Sequence, residues 1–145
     1  PGETDEQFEN SLEYFASLPL TYFHVFPYSS RRGTMAASLA GHVPADKKKE
    51  RARRMRELGE HKKREFWRRF LGDEVSVLIE EKIDRKNGRH RGFSRNYLPV
   101  VVCGTGDCVN REIRVRIKRF DGGCLLGDAL LGDVTVGGDL AANGQ

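Results

Sequence analysis

Apolar residues near the start of the chain recur every three or four positions from Phe8 to Phe15, as on one face of a helix. Thr4 suits the N-cap, and Gln7 three residues later completes a capping box. The pattern predicts an amphipathic helix within residues 1–18.

Residues 20–26 (LTYFHVF) are apolar at nearly every position and rich in aromatic and β-branched side chains. This predicts a strand buried on both faces, as in a parallel sheet, with His24 packed in the core. A helix followed closely by such a strand is half of a βαβ unit, so the sequence looks cut from a larger α/β protein. The loop at 27–43 would then lie at the carboxyl end of the strand, where α/β barrels carry their active site.

Strong helix formers fill residues 46–70, where Asp46 can cap the first turn and Gly72 can stop the helix. Gly59 lies inside the pattern, so a bend or break is possible there. The apolar stripe is thin until the last turns, which predicts an exposed first half and a second half that packs through Phe66, Trp67, Phe70 and Leu71.

After this helix the hydrophobic pattern changes to a period of two. It predicts five strands, at residues 75–80, 91–97, 98–103, 111–120 and 124–131, with turns at Asn87-Gly88, 104–110 and 121–123. Five short strands with polar turns predict a small antiparallel β-barrel of the OB type, and the fold class is α+β. The glycine-rich residues 132–145 are expected to be disordered.

Charge divides the chain into three parts. Residues 46–70 hold 12 Lys/Arg against 5 Asp/Glu, residues 1–45 hold 2 against 5, and residues 71–145 hold 11 of each. A solvated helix with internal Glu–Arg pairs would explain an ordinary basic helix. An excess of seven positive charges over 25 residues favours a polyanionic partner instead.

The composition indicates the cellular compartment and the state of the cysteines. The sequence has no run of 18 apolar residues and no signal peptide, so neither a membrane span nor secretion is expected. Three cysteines spaced C-x4-C-x15-C fit a reducing cytoplasm and are poor zinc ligands, so Cys103, Cys108 and Cys124 are expected to be structural or incidental thiols.

A row of cations alternates with apolar residues in the fourth predicted strand. Arg114, Arg116 and Lys118 are spaced two apart and therefore share one face. Such a row can follow a phosphate backbone.

The segment RGFSRNY offers a second nucleic-acid feature. Phe93 and Tyr97 can stack on bases or riboses, and Arg91, Arg95 and Asn96 can hydrogen-bond phosphates or base edges. The alternative is that the aromatic residues belong to the core and that the cations form a solvated face. The two features together, after a basic helix, favour RNA binding.

Complete catalytic sets are missing from the sequence. No Ser/His/Asp or Cys/His arrangement has the spacing of a known catalytic family, and the sequence contains no Walker motif and no glycine-rich dinucleotide turn. No residue is therefore predicted to be catalytic or to bind a metal.

The order of several short motifs resembles the C-terminal part of the radical S-adenosylmethionine methylthiotransferases. The matching segments are PGET at 1–4, HVFPYSSRRGTMAA at 24–37, FLG at 70–72, GFSRNY at 92–97, and VRI with LLGDAL at 115–130. The HVFPYS form resembles the subgroup that acts on threonylcarbamoyladenosine in tRNA.

The resemblance implies a domain plan. Residues 1–45 would be the last piece of a radical-enzyme α/β barrel, 46–72 a basic connecting helix, 73–131 an RNA-binding TRAM domain, and 132–145 a tail. Glu3, Tyr28, Ser29, Arg31 and Thr34 would lie on the active-site side of the barrel.

The resemblance also implies a reaction, in which a C–H on adenine beside the anticodon is replaced by a methylthio group. The family needs two 4Fe–4S clusters and S-adenosylmethionine, but its Cys-x3-Cys-x2-Cys motif is absent here. The chain alone is expected to bind no cofactor and to be inactive. Its expected partners are tRNA and the missing N-terminal domains of the same polypeptide, in the cytoplasm.

Two other functions remain open from the sequence. One is a non-catalytic RNA-binding or ribosome-associated module. The other is the branch of the family that modifies a ribosomal protein rather than RNA.

Overall fold

A computed structural model of the chain describes residues 1–84, 88–103 and 108–130. It forms two compact units, Pro1–Phe66 and Trp67–Gln145. The first is helical and the second is a closed five-stranded β-barrel, so the predicted α+β class is confirmed. The elements in order are α1 (Asp5–Ser17), α2 (Met35–Ser38), α3 (Ala45–Arg68), β1 (Glu74–Ile83), β2 (His90–Ser94), β3 (Pro99–Cys103), β4 (Glu112–Asp121) and β5 (Cys124–Ala129).

Local sequence signals set the start of α1. The Thr4 hydroxyl accepts a hydrogen bond from the Gln7 amide at 3.1 Å, and the Gln7 side-chain oxygen accepts one from the Thr4 amide at 2.9 Å. The predicted capping box is therefore confirmed. Phe8 is buried and places the apolar face of the helix inside the unit.

Helices α1 and α3 lie side by side and run in the same direction. Lys47, near the start of α3, binds the Asp5 carboxylate at the start of α1, with a distance of 2.8 Å. Lys62, about four turns further along α3, donates to the Leu18 carbonyl at the end of α1, also at 2.8 Å. The segment that connects the end of α1 to the start of α3 must therefore run back in the opposite direction to both helices.

Residues 20–28 make this return, and the prediction of a β-strand at 20–26 is wrong. The segment pairs with no strand in the part of the chain that the structure describes. Its Phe23 ring packs on α3 at Gly59 and lies 5.5 Å, centroid to centroid, from the Phe15 ring of α1. A strand requires a neighbouring backbone to accept its hydrogen bonds, and only side-chain packing is provided here.

The burial of this segment alternates. Thr21, Phe23 and Val25 are half-buried, whereas Tyr22 and Phe26 are exposed. The expectations that both faces are buried and that His24 packs in the core are therefore wrong, because the helices cover one face only and the His24 side chain lies on the other.

Helix α3 continues without interruption through Gly59, so the break considered there is absent. Beyond its last residue, Gly72 adopts a φ of +90°, which suits glycine at the end of a helix. Trp67 is buried with its ring 5.7 Å from that of Phe120, whereas Leu71 remains exposed. None of the helices in the described ranges is long and apolar enough to cross a membrane.

The barrel closes in the order β1-β2-β3-β5-β4, with β4 pairing back to β1. Four pairs of neighbours are antiparallel and one, β3 with β5, is parallel. The prediction of a wholly antiparallel barrel is therefore wrong. Around a closed ring of five strands, up and down directions cannot alternate, so an odd number forces at least one parallel pair.

Alternation along the strands fills the barrel core. Ile113, Val115 and Ile117 of β4 are buried, as are Val77 and Ile79 of β1.

Two glycines permit close strand contact where any side chain would clash. A Cβ on Gly92 would lie 2.7 Å from Val77 Cγ1, and one on Gly127 would lie 2.9 Å from the Arg116 carbonyl oxygen.

The turn predicted at 121–123 joins β4 to β5, with φ of +54° at Gly122 and +135° at Gly123. The turns predicted around Asn87 and within 104–110 lie partly outside the described residues. The tail predicted at 132–145 lies wholly outside them.

Candidate nucleic-acid interface

The predicted row of cations lies on the outside of the barrel. The side chains of Arg114, Arg116 and Lys118 are about half exposed, whereas Val115 and Ile117, which alternate with them, are buried. Lys118 is the extra residue of a β-bulge, because Ile117 pairs with Gly127 and Arg119 with Leu126. The strand alternation therefore presents Arg114 and Arg116 to solvent, and the bulge exposes Lys118 beside them.

Each cation of this row has a carboxylate partner. Glu74 of β1 lies opposite Arg116 and pairs with both Arg116 and Arg114, and the Lys118 ammonium lies 3.7 Å from Asp128 of β5. The hydrogen bond from Arg116 holds the pKa of Glu74 below its ordinary value. Exposed ion pairs of this kind are weak, so a phosphate can replace the carboxylates.

Strand β1 brings the second predicted feature to the same surface. Leu78 of β1 lies directly opposite Phe93 of β2 on one side and Glu112 of β4 on the other. Leu78 is 52% exposed and Phe93 41%. The half-buried Arg91 shares the outer face with Phe93, two residues away along β2.

Arg95 connects β2 to β4 through an ion pair. Its Nε lies 2.8 Å from Glu112 Oε1 and its second terminal nitrogen lies 3.2 Å from Oε2. This bond raises the pKa of Arg95 and lowers that of Glu112. The guanidinium is largely exposed, so it lies at the surface between the aromatic residues and the cation row.

A tight turn after β2 holds the last predicted residues. Ser94 is buried, its hydroxyl donates to Asn96 Oδ1 at 2.5 Å, and it accepts the Leu98 amide at 3.0 Å. The Tyr97 amide donates to the Ser94 carbonyl at 2.9 Å. Tyr97 has a φ of +60° and is 76% exposed, so the turn directs a ring into solvent.

The residues predicted to bind RNA thus lie on the outer side of β4 and β2 and on the turn that follows β2, and β1 lies between these two strands. Leu78 belongs to the same surface and was not among them. The signal for it was present in the sequence, because Leu78 is an apolar residue at a position of β1 that the alternation assigns to the exterior.

The residues predicted at the active-site side fall into two groups. Glu3 and Tyr28 line one cleft of the first unit, with a volume of about 360 Å³, together with Lys48 and Arg51. The Glu3 carboxylate accepts a hydrogen bond from Arg51 at 2.5 Å. Arg51 is neutralised by Glu3 and Asp5, whereas the Lys48 ammonium donates to the Tyr28 carbonyl, so the cleft suits a small anionic or polar group that Lys48 can bind.

Ser29, Arg31 and Thr34 lie on the exposed loop outside that cleft. The Thr34 hydroxyl donates to the Arg31 carbonyl at 2.8 Å, and Gly33 between them has a φ of +84°. The structure therefore brings Arg31 and Thr34 together in a turn and does not join them to Glu3.

Most cations of α3 are occupied within the first unit. Arg51 binds Glu3 and Asp5, Arg54 binds Glu9, and Lys62 binds two backbone carbonyls of the segment after α1. Acidic residues of the N-terminal part thus neutralise basic residues of the helix. Fewer positive charges of α3 are therefore available to a partner than the residue count of the helix suggests.

The described residues do not fit an iron–sulfur cluster. A 4Fe–4S cluster is held by several thiolates, and the described ranges contain no group of three His, Cys, Asp or Glu side chains that could hold a metal. Cys108 is fully buried in the barrel unit, and the Cys124 thiol donates to the Asp121 carbonyl at 3.4 Å.

Comparison with known proteins gives several relatives. The threonylcarbamoyladenosine tRNA methylthiotransferase MtaB of Bacillus subtilis is 31% identical over 121 residues, which are 82% of this chain and 27% of that protein. The protein of the same name from Aquifex aeolicus is 34% identical over 117 residues, 81% of this chain and 27% of that protein. The tRNA-2-methylthio-N(6)-dimethylallyladenosine synthase of Moorella thermoacetica is 33% identical over 132 residues, 91% of this chain and 30% of that protein.

No family model matches the chain. The chain spans between a quarter and a third of the length of these three relatives. Similarity nevertheless covers four fifths or more of the chain at over 30% identity, and the predicted resemblance is confirmed. The chain belongs to the tRNA methylthiotransferase family and matches the C-terminal part of its members.

Proposed function

We propose that this chain is the RNA-holding part of a tRNA methylthiotransferase, with residues 73–131 as its TRAM domain. One observation carries the proposal. Strands β4, β1 and β2 bring the cation row and the exposed aromatic residues onto one surface, although the sequence separates them by about 20 residues. Cations can neutralise phosphates and rings can stack on bases, so the combination suits RNA.

The proposed substrate is tRNA that carries threonylcarbamoyladenosine. Sequence identity does not separate the two kinds of relative, because the compared proteins of both names are 31% to 34% identical to the chain. The HVFPYS segment at 24–29 supports the threonylcarbamoyladenosine subgroup, since the other subgroups usually differ there.

Residues 1–45 are proposed to be the last piece of an α/β barrel, and residues 46–72 a connecting helix that packs against it. Helices α1 and α3 run in the same direction, and the extended segment 20–28 returns between them. Successive helices of such a barrel are parallel and each strand between them runs the opposite way. The exposed face of Tyr22 and Phe26, opposite the helices, is the side that would point into the interior of a barrel.

The methylthio transfer itself is assigned to the whole enzyme. Its iron–sulfur clusters and S-adenosylmethionine would supply the radical chemistry, and the residues described here do not fit the clusters. The chain's own contribution is to bind and orient tRNA. A cytoplasmic location follows from this substrate.

A filter-binding titration with tRNA tests the proposal. The variant pair Arg114→Gln/Arg116→Gln is compared with the control pair Arg53→Gln/Arg56→Gln, which removes the same charge from α3. Arg53 is an apt control because its side chain is 53% exposed and ion-paired, as is that of Arg116 at 49%. We expect the barrel pair to weaken binding and to reduce the slope of log affinity against log salt by about 2, and the control pair to change the slope little.

Equal effects of the two pairs would show that binding follows net charge and not this surface. Binding that does not respond to salt would contradict the phosphate contacts. The nucleoside profile of tRNA from a strain lacking the gene tests the substrate, because the methylthio form of threonylcarbamoyladenosine should disappear while that of dimethylallyladenosine persists.

A further inference from the structure

The outer surface of the barrel carries an apolar pair that phosphate binding does not require. Leu78 and Phe93 lie directly opposite each other on β1 and β2, so their Cβ atoms are about 5 Å apart. Both side chains are about half exposed. Single exposed apolar residues are common on proteins, but here two of them are adjacent and a third exposed ring follows four residues after Phe93, a combination that points to a partner.

Tyr97 provides the third side chain, and its backbone is strained. A bulky residue with positive φ is an outlier, and Tyr97 has a φ of +60°. Its ring makes little use of the protein interior, since 76% of the residue is exposed. The buried Ser94 holds the turn in place through the Leu98 and Tyr97 amides. The strained backbone of Tyr97 is maintained by hydrogen bonds of Ser94, and its result is an exposed ring. Such a costly conformation indicates that the ring has a binding role.

Charge around the patch identifies the kind of occupant. Arg91 and Arg95 flank Phe93 along β2 and its following turn, and Arg114 follows Glu112 on the neighbouring strand β4. An apolar surface bordered by guanidinium groups complements a ligand with flat apolar faces and anionic linkers. Unpaired nucleotides have this character, whereas a duplex hides its base faces and presents phosphates and ribose hydroxyls.

We infer that Leu78, Phe93 and Tyr97 form a platform on which unpaired bases of RNA stack, so that this surface binds single-stranded RNA in preference to duplex RNA. The inference rests on the proposed RNA-binding function and adds the form of RNA that is bound. Arg95 would leave Glu112 for a phosphate beside the stacked bases, which exchanges one exposed ion pair for another.

Fluorescence anisotropy of the 145-residue chain with two labelled probes provides the test. The first is a single-stranded RNA of about 12 nucleotides, within the length that one small barrel can contact, and the second is the same strand annealed to its complement. The variants are Leu78→Ala, Phe93→Leu and Leu78→Tyr. The control is Ile83→Ala, because Ile83 lies on the same strand and is 51% exposed, against 52% for Leu78.

We expect Leu78→Ala and Phe93→Leu each to weaken single-strand binding by about threefold or more, with duplex affinity and the salt slope unchanged. Leu78→Tyr adds a ring and should tighten single-strand binding. Ile83→Ala should alter neither probe. Circular dichroism confirms that each variant is folded.

Distinct failures have distinct meanings. Equal weakening of both probes by Phe93→Leu, or no weakening of either, would overturn the platform and leave RNA binding to the cations. In the second case the patch would be a protein-contact surface. If the unchanged chain bound neither probe at low salt, the proposed function itself would fail.

Discussion

Arg54 of α3 binds the Glu9 carboxylate of α1 with both terminal nitrogens, at distances of 2.5 and 2.7 Å. Its guanidinium also lies 5.1 Å from the centre of the Phe8 ring, and that of Arg51 lies 5.3 Å from the same ring. The acidic and basic parts of the first unit are therefore complementary to each other. The charge division along the sequence is in part an internal feature of this unit.

Removal of Arg51 should destabilise the first unit. Only 8% of its side chain is exposed, and it holds Glu3 and Asp5 while covering Phe8. We expect Arg51→Met to lower the free energy of unfolding by about 1 to 3 kcal/mol, because its three hydrogen bonds to the Glu3 carboxylate, the Asp5 carboxylate and the Glu3 carbonyl are lost. Urea unfolding followed by circular dichroism measures this.

Arg53→Met is the matched control for that experiment. Arg53 makes as many ion pairs as Arg51, with Glu50 and Glu57, but its side chain is half exposed. Little change in stability is expected from this variant. Equal losses from the two substitutions would mean that the burial of Arg51 is unimportant.

Acid should weaken the first unit through Glu9. The hydrogen bond from Arg54 lowers the pKa of Glu9 below its ordinary 4.5. A carboxyl whose pKa is lower in the folded state stabilises the fold above its unfolded pKa, and that contribution is lost as the pH falls through the folded pKa. The urea midpoint should therefore decrease as the pH is lowered below 4.5, and it should decrease less steeply in Glu9→Gln. A fall of the same size in both proteins would exclude Glu9 as a contributor.

Gly59→Ala should stabilise the chain. An added Cβ would meet the Phe23 ring at 3.5 Å, an ordinary contact distance, and alanine is the better helix former. We expect a gain of about 0.5 to 1 kcal/mol in urea unfolding. Gly92→Ala is the contrasting variant, since its Cβ would lie 2.7 Å from Val77 Cγ1 and should cost about 1 to 3 kcal/mol. A loss of stability in Gly59→Ala would mean that the Phe23 contact needs the glycine.

Tyr97→Gly should separate stability from binding. Glycine relieves the positive φ, so the barrel should gain about 0.5 to 1 kcal/mol in thermal unfolding, while RNA affinity falls because the ring is lost. Asn110→Gly is the control, because Asn110 also has a φ of +60° but lies outside the proposed platform. It should leave RNA affinity unchanged. A Tyr97→Gly variant that binds RNA as before would remove the functional reason for the strain.

Local signals predicted much of this structure. The Thr4 and Gln7 cap and the alternation of β4 depend only on neighbouring residues, so the sequence contains them directly. The strand expected at 20–26 depended on partners far along a chain, and a run of aromatic residues cannot supply them. The parallel β3–β5 pair follows from ring closure, a property that no single strand displays.

The candidate surface was predictable residue by residue but not as a whole. Phe93 and Arg114 were singled out separately, and the register of β1 between them was needed to place them together. The pairing of Arg116 with Glu74 was likewise hidden, because the two residues are far apart in sequence and opposite only across the sheet. Exposed apolar residues such as Leu78 become informative only when their neighbours are known.

Closure of the barrel by the β3–β5 pair has a consequence for self-association. In an open sheet, outer strands carry unpaired amides and carbonyls to which another molecule can add a strand. Every one of the five described strands has two hydrogen-bonded neighbours, so this part of the chain leaves no such edge. A surface with exposed Leu78, Phe93 and Tyr97 would be an aggregation hazard beside a free edge, and the closed ring allows the domain to present that surface without polymerising through its backbone.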